Sequence, residues 1–180
     1  MTEQKWLKCS DPTPMLEFLR GKVSDRKLRL FAVGCLRVNE PEFGDTATQM
    51  EEEIDHLRCG SEEVSLFDEQ NRVVGSVRLE TAYFAALDTA RLAGKRRGNI
   101  LRDIFGNPFR PLTIDPRWLT PTVVSVANGI YSDRAFDRLP ILADALQDAG
   151  CDNADILHHC RSDGPHGRGC WVIDLLLEKE

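Results

Sequence analysis

The sequence predicts a mainly α-helical fold: a single compact multi-helix domain over residues 1–180, with room for a small β-hairpin near 63–78. Three observations predict it. Helix-start punctuation, a capping side chain followed by proline, recurs along the chain. Apolar residues return at three- and four-residue spacing, the period that lines one helix face. Hydrophobic residues make up 42% of the chain and charged residues 29%, which supports a packed core instead of a disordered or membrane-spanning chain. A chain of 180 residues can bury about two-thirds of its unfolded surface.

The N-terminal helices occupy residues 1–38. Asp11-Pro12 starts the first clear one, Met15 to Arg20 carry its apolar face, and Gly21 closes it. Ser24 caps the next, with Leu28, Leu30, Phe31 and Cys35, so the two pair as a hairpin. The C-terminal helical part spans 95–180. Asp115-Pro116 and Thr120-Pro121 repeat the start signal, and Val123, Val124, Val126, Ala127, Ile130 and Tyr131 follow. Leu139, Leu142, Ala143 and Leu146 form another face ending at Gly150; Asp152 or Asn153 caps a helix through Ile156 and Leu157. Cys170 to Leu177 is apolar nearly all round, as expected of a buried last helix. Between these parts, Gly106-Asn107-Pro108-Phe109-Arg110-Pro111 cannot continue a helix and marks a division, with Phe109 as its apolar anchor.

The middle, 39–94, is acidic. Thr46–Leu57 and Thr81–Leu92 read as helices. Glu62–Leu66 and Arg72–Val77 around Asp68–Asn71 read either as a β-hairpin, because β-branched residues flank a polar turn, or as further helix. From Glu40 to Glu69 eleven acidic residues face Arg58 alone, a local charge of about −10; since the whole chain carries −6, the remainder carries about +4.

Several segments carry a resemblance. Asp11-Pro12-Thr13-Pro14-Met15-Leu16-Glu17-Phe18-Leu19-Arg20-Gly21-Lys22, Leu101-Arg102-Asp103-Ile104-Phe105-Gly106-Asn107-Pro108-Phe109-Arg110-Pro111 and Arg168-Gly169-Cys170-Trp171-Val172-Ile173-Asp174 resemble an uncharacterised family present in many copies in planctomycete bacteria. Asp137 to Leu146 extends the match, which covers both ends of the chain and little of the middle. The resemblance implies a helical domain without an established activity and supplies no catalytic residues. Members of that family carry a cysteine-rich basic stretch after the second helix's Leu-Phe-Ala; here Ala32–Val38 keeps Cys35 alone, which argues against a metal role there.

The richest chemical cluster is His158 to Cys170. Four nitrogen or sulfur donors make a zinc tetrahedron, and His159 or His158 with Cys160, His166 and Cys170 could supply them. Adjacent helical residues point about 100° apart, which works against His159 and Cys160 converging. A nucleophilic alternative pairs Cys170 or Cys160 with His166, oriented by Asp174 or Asp163; burial in an apolar segment opposes it by raising the thiol pKa. Gly164–Gly169 lacks the Lys-Ser or Lys-Thr ending of a phosphate loop. Trp6, Trp118 and Trp171 read as core or staple residues, not a ligand box.

The N-terminus has no basic segment leading into an apolar one, and no apolar run approaches the roughly 18 residues of a membrane span. The expectation is a cytoplasmic protein without a membrane partner, its six cysteines reduced thiols. Net acidity argues against general nucleic-acid binding. The favoured reading is a noncatalytic helical protein-interaction or scaffold module without a cofactor, docking another protein through Glu51, Glu52, Glu53, Lys95, Arg96 and Arg97. The alternatives are a zinc-binding or hydrolytic protein centred on His158–Cys170, and a nucleic-acid-linked regulatory or defence accessory resting on the basic cluster.

Overall fold

The computed structural model describes residues 1–39, 44–56, 63–67, 73–78 and 97–179. Its architecture is mainly helical, as the cap and spacing pattern predicts. The chain read from sequence as one domain is grouped by its contacts into two compact units, Met1–Arg102 and Asp103–Glu180. The division falls just before the Gly106–Pro111 breaker. Among the described residues no helix is long and apolar enough to cross a membrane, and Cys9, Cys35, Cys151, Cys160 and Cys170 are free thiols.

In the first unit, α1 (Glu3–Lys8) is capped by Thr2 and buries Trp6. Asp11 accepts from the Thr13 N–H at 2.9 Å to start α2 (Pro12–Leu19), with Pro12 in the first turn. Gly21 follows at φ +69°. Ser24 accepts from the Lys27 N–H at 3.4 Å before α3 (Asp25–Asn39), whose Leu28, Leu30, Phe31, Ala32, Val33 and Cys35 are all buried.

Helix α4 (Gly44–His56) packs on α3, and the acidic run does not behave as one solvated face. Glu52 and Glu53 are exposed, but Glu51 is buried and accepts from Arg37 Nη2 at 3.1 Å. The same guanidinium nitrogen donates to Thr48 Oγ1 at 3.1 Å. Glu51 is therefore withdrawn from the docking surface the sequence suggested: its carboxylate is spent inside the α3–α4 contact.

Residues β1 (Glu63–Phe67) and β2 (Val73–Arg78) form the antiparallel hairpin, in register Glu63↔Arg78 through Leu66↔Gly75 with an irregularity at Leu66/Phe67. The helix read at Thr81–Leu92 lies outside the described residues, as do Lys95 and Arg96. Arg97 opens α5 (Arg97–Phe105) and is only 1% exposed, so the third member of the basic cluster is a buried residue, not a surface one. Its charge acts on Cys35, whose thiol burial pushes up to about 12 and Arg97 partly restrains. Arg102 closes the unit by donating to the Trp6 and Cys9 carbonyls at 2.9 Å each, satisfying the end of α1.

The second unit has one apolar core. Val123, Ala127, Ile130 and Tyr131 of α6 (Pro121–Asp133) meet Leu139, Leu142, Ala143 and Leu146 of α7 (Leu139–Asp148). Ile156 and Cys160 of α8 (Ala154–Cys160) and Val172, Ile173 and Leu176 of α9 (Trp171–Leu176) complete it. Thr120 caps α6, and Asn153, not Asp152, caps α8 by accepting from two backbone N–H groups at 3.1 Å. After α7, Gly150 at φ +87° sets a Schellman turn: Cys151 N–H reaches the Leu146 carbonyl and Gly150 N–H the Gln147 carbonyl, both at 2.9 Å. Trp118 and Trp171 pack half-buried against this core, and Phe109 is half-buried in the breaker loop.

Candidate metal centre

Helix α5 carries Ile100, Leu101 and Ile104 on its buried side, and helical spacing places Asp103 beside them. Asp103 is accordingly 5% exposed, a carboxylate that water cannot compensate. Its partners come from the far end of the second unit. His159 stands in the last turn of α8, whose apolar residues Ile156 and Cys160 hold the helix on the core. The chain then turns through Ser162–Gly169 to reach Cys170 at the start of α9. Gly169 at φ +88° makes that turn, closed by the Cys170 N–H donating to the Gly167 carbonyl at 3.0 Å.

The side chains converge. His166 Nδ1 lies 2.7 Å from Asp103 Oδ1, and the Gly167 N–H donates to Asp103 Oδ2 at 3.1 Å. His159 Nε2 is 3.3 Å from Asp103 Oδ1 and 3.2 Å from Cys170 Sγ. The imidazole rings meet edge to face with centroids 4.8 Å apart, and Trp171 covers His159 at 5.2 Å. One donor atom from each of Asp103, His159, His166 and Cys170 lies within 4.8 Å of all the others.

The electrostatics follow from this packing. Burial alone would raise the Asp103 pKa, but hydrogen bonds and charge from His159 and His166 outweigh it and hold the carboxyl below its usual range. Burial lowers the His166 pKa, yet Asp103 reverses the balance and leaves it raised. The contacts behind the shift are visible in the geometry: His166 Nδ1 faces a carboxylate and Nε2 faces the Ser162 carbonyl at 3.0 Å, two acceptors that favour the protonated ring. Cys170, fully buried, has its pKa pushed well up by desolvation and by Asp103, with the Val172 and Ile173 N–H groups offsetting part of it.

Of the four donors expected from the sequence, His159, His166 and Cys170 come together. Cys160 does not. It follows His159 by one helical position, so it points about 100° away, into the core, where burial pushes its thiol up to about 12. Asp103 takes its place, 63 positions before His166. His158 is exposed on the outer side of α8. The missed residue had one sequence signal: an acid set among Ile100, Leu101 and Ile104 on an apolar helix face.

Two nucleophilic arrangements can be weighed on the same distances. In a Cys-His-Asp relay the acid orients the base through its second nitrogen, whereas here Cys170 and Asp103 both face His159 Nε2. Ser162 Oγ lies 3.4 Å from His166 Nε2, and His166 Nδ1 meets Asp103, which has the outline of a triad. Its hydroxyl, however, donates to the His159 carbonyl at 2.8 Å, and Nε2 is closer to the Ser162 carbonyl, so no base is aimed at the serine proton. Neither Asp163 nor Asp174 takes the orienting place on His166; Asp103 does. What the arrangement can do is hold a metal ion.

No protein-family model, curated protein or solved structure matches this chain.

Proposed function

We propose that Asp103–Glu180 is a structural metal module that holds one zinc ion through Asp103, His159, His166 and Cys170, within a noncatalytic helical interaction or scaffold protein. The observation that carries it is the convergence of four donor atoms within 4.8 Å. Tetrahedral zinc with bonds of about 2.0–2.3 Å has ligand-to-ligand edges of about 3.3–3.8 Å. The 3.3 Å His159–Asp103 distance fits already; the 3.2 Å His159–Cys170 contact needs to open slightly, the 2.7 Å Asp103–His166 contact by about half an ångström, and separations toward the 4.8 Å limit need to close by about 1 Å. The donors are chemically suited as well, since two imidazoles, one carboxylate and one thiolate in a tetrahedral setting favour zinc over square-planar copper and over the all-oxygen shells of magnesium or calcium.

A structural role is supported by the donor count and by burial. Catalytic zinc keeps a position for water, while structural zinc is closed by four protein ligands. Here four donors are present, and Asp103 and Cys170 are buried. The docking reading retains Glu52 and Glu53, exposed on α4, as its described residues. Elemental analysis of protein prepared without chelators tests the proposal: one zinc per chain is expected, and less than a tenth of an equivalent after saturation and desalting would overturn it.

A further inference from the structure

We infer that Ser162 is the positioning residue of this metal centre: it ties the two histidines together and fixes His166 to bind the ion through Nδ1 while His159 binds through Nε2. The inference rests on the zinc reading above. Ser162 touches both histidines by different atoms. Its hydroxyl donates to the His159 main-chain carbonyl at 2.8 Å, and its own main-chain carbonyl lies 3.0 Å from His166 Nε2. Its Oγ is 3.4 Å from that same nitrogen. Gly164 lies beside both groups: a Cβ there would stand at ordinary contact distance, 3.6 Å, from Ser162 Oγ and from His166 Cε1.

The consequence is a choice of nitrogen. A metal-bound imidazole needs one nitrogen free of its proton, and the hydrogen bond made by the other nitrogen selects which. The Ser162 carbonyl can only accept, so it keeps the proton on His166 Nε2 and leaves Nδ1 to face the donors of Asp103, His159 and Cys170. His159 is oriented the opposite way, with Nε2 turned inward to Asp103 and Cys170. The two histidines therefore coordinate through different atoms. Ser162 does not touch the ion's place; it acts through the residues that do.

Outer-shell partners of metal-bound histidines commonly change affinity 10- to 100-fold when altered. Ser162→Ala retains the carbonyl and loses the hydroxyl, so its zinc affinity should fall about tenfold, while Ser162→Thr should restore it. Competition with a chromophoric chelator reads both values, and melting in excess EDTA checks that each variant is folded. In the wild-type protein, long-range proton–nitrogen correlation of the zinc-loaded imidazoles should show His166 protonated at Nε2 and His159 at Nδ1. Nε2 coordination by His166, or unchanged affinity in Ser162→Ala, would overturn the inference while leaving zinc binding intact. A wild-type chain that takes up no zinc overturns both.

Discussion

Asp103→Asn separates the buried network from any generic effect of altering α5, because the two side chains have nearly the same shape. The carboxylate is engaged on two sides, at Oδ1 by His166 Nδ1 at 2.7 Å with His159 Nε2 at 3.3 Å, and at Oδ2 by the Gly167 N–H at 3.1 Å. An amide oxygen can serve only one of them, and the NH2 then confronts the other as donor against donor. A buried donor left unsatisfied costs about 1–3 kcal/mol, and the hydrogen bond to a charged imidazolium contributes about 1.5–3 kcal/mol. With the carboxylate gone, burial works against the charged ring and favours loss of the His166 proton, which relieves part of the second loss. The expected destabilisation of EDTA-treated protein is therefore about 2–4 kcal/mol. Urea unfolding followed by tryptophan fluorescence measures it, and zinc titration of the same samples should show affinity lower by at least about 100-fold. A loss under about 1 kcal/mol together with unchanged zinc affinity would refute the reasoning.

Other consequences follow from the same packing. A Cβ on Gly98 would stand 2.5 Å from the Cys9 carbonyl, so Gly98→Ala should cost about 1–3 kcal/mol by forcing α5 off that backbone; an unchanged melting temperature would contradict the contact. Glu51→Gln removes the buried charge of the part-buried Arg37–Glu51 pair and should cost about 1–2 kcal/mol, whereas Glu53→Gln at an exposed site should stay within about 0.5 kcal/mol; equal effects would return Glu51 to the surface. Cys35 and Cys160 have folded pKa values raised from 9.0 to about 12, so the stability they confer is complete below pH 9 and drains away as pH rises toward 12. Each buried thiol can contribute a slope of up to about 1.4 kcal/mol per pH unit in that window, and replacing either by alanine should flatten it. Alkaline denaturation curves provide the check, and a profile identical in wild type and both variants would contradict it.

The features legible in the sequence are those decided locally. Asp11, Ser24, Thr120 and Asn153 cap helices because each side chain reaches N–H groups two or three residues on, and Gly150 ends α7 because it accepts φ +87°. The hairpin was legible only as an alternative, because short β-branched runs do not separate strand from helix. Burial of charged residues was not legible. Glu51 sits in a run with Glu52 and Glu53, and one helical step of rotation decides that it meets Arg37 while its neighbours face solvent. Arg97, grouped with basic neighbours in the sequence, is likewise buried. At the metal centre, His159, His166 and Cys170 are close in sequence and could be grouped by spacing. Asp103 joins them only through tertiary packing, and no spacing rule links positions separated by 63 residues.

The mixed four-donor shell is tested most directly by X-ray absorption at the zinc edge of the zinc-loaded chain. One sulfur at about 2.3 Å and three nitrogen or oxygen neighbours at about 2.0–2.2 Å are expected, with the sulfur lost in Cys170→Ala. A shell without sulfur in the wild type, or one with two or more sulfurs that survives Cys170→Ala, would contradict it.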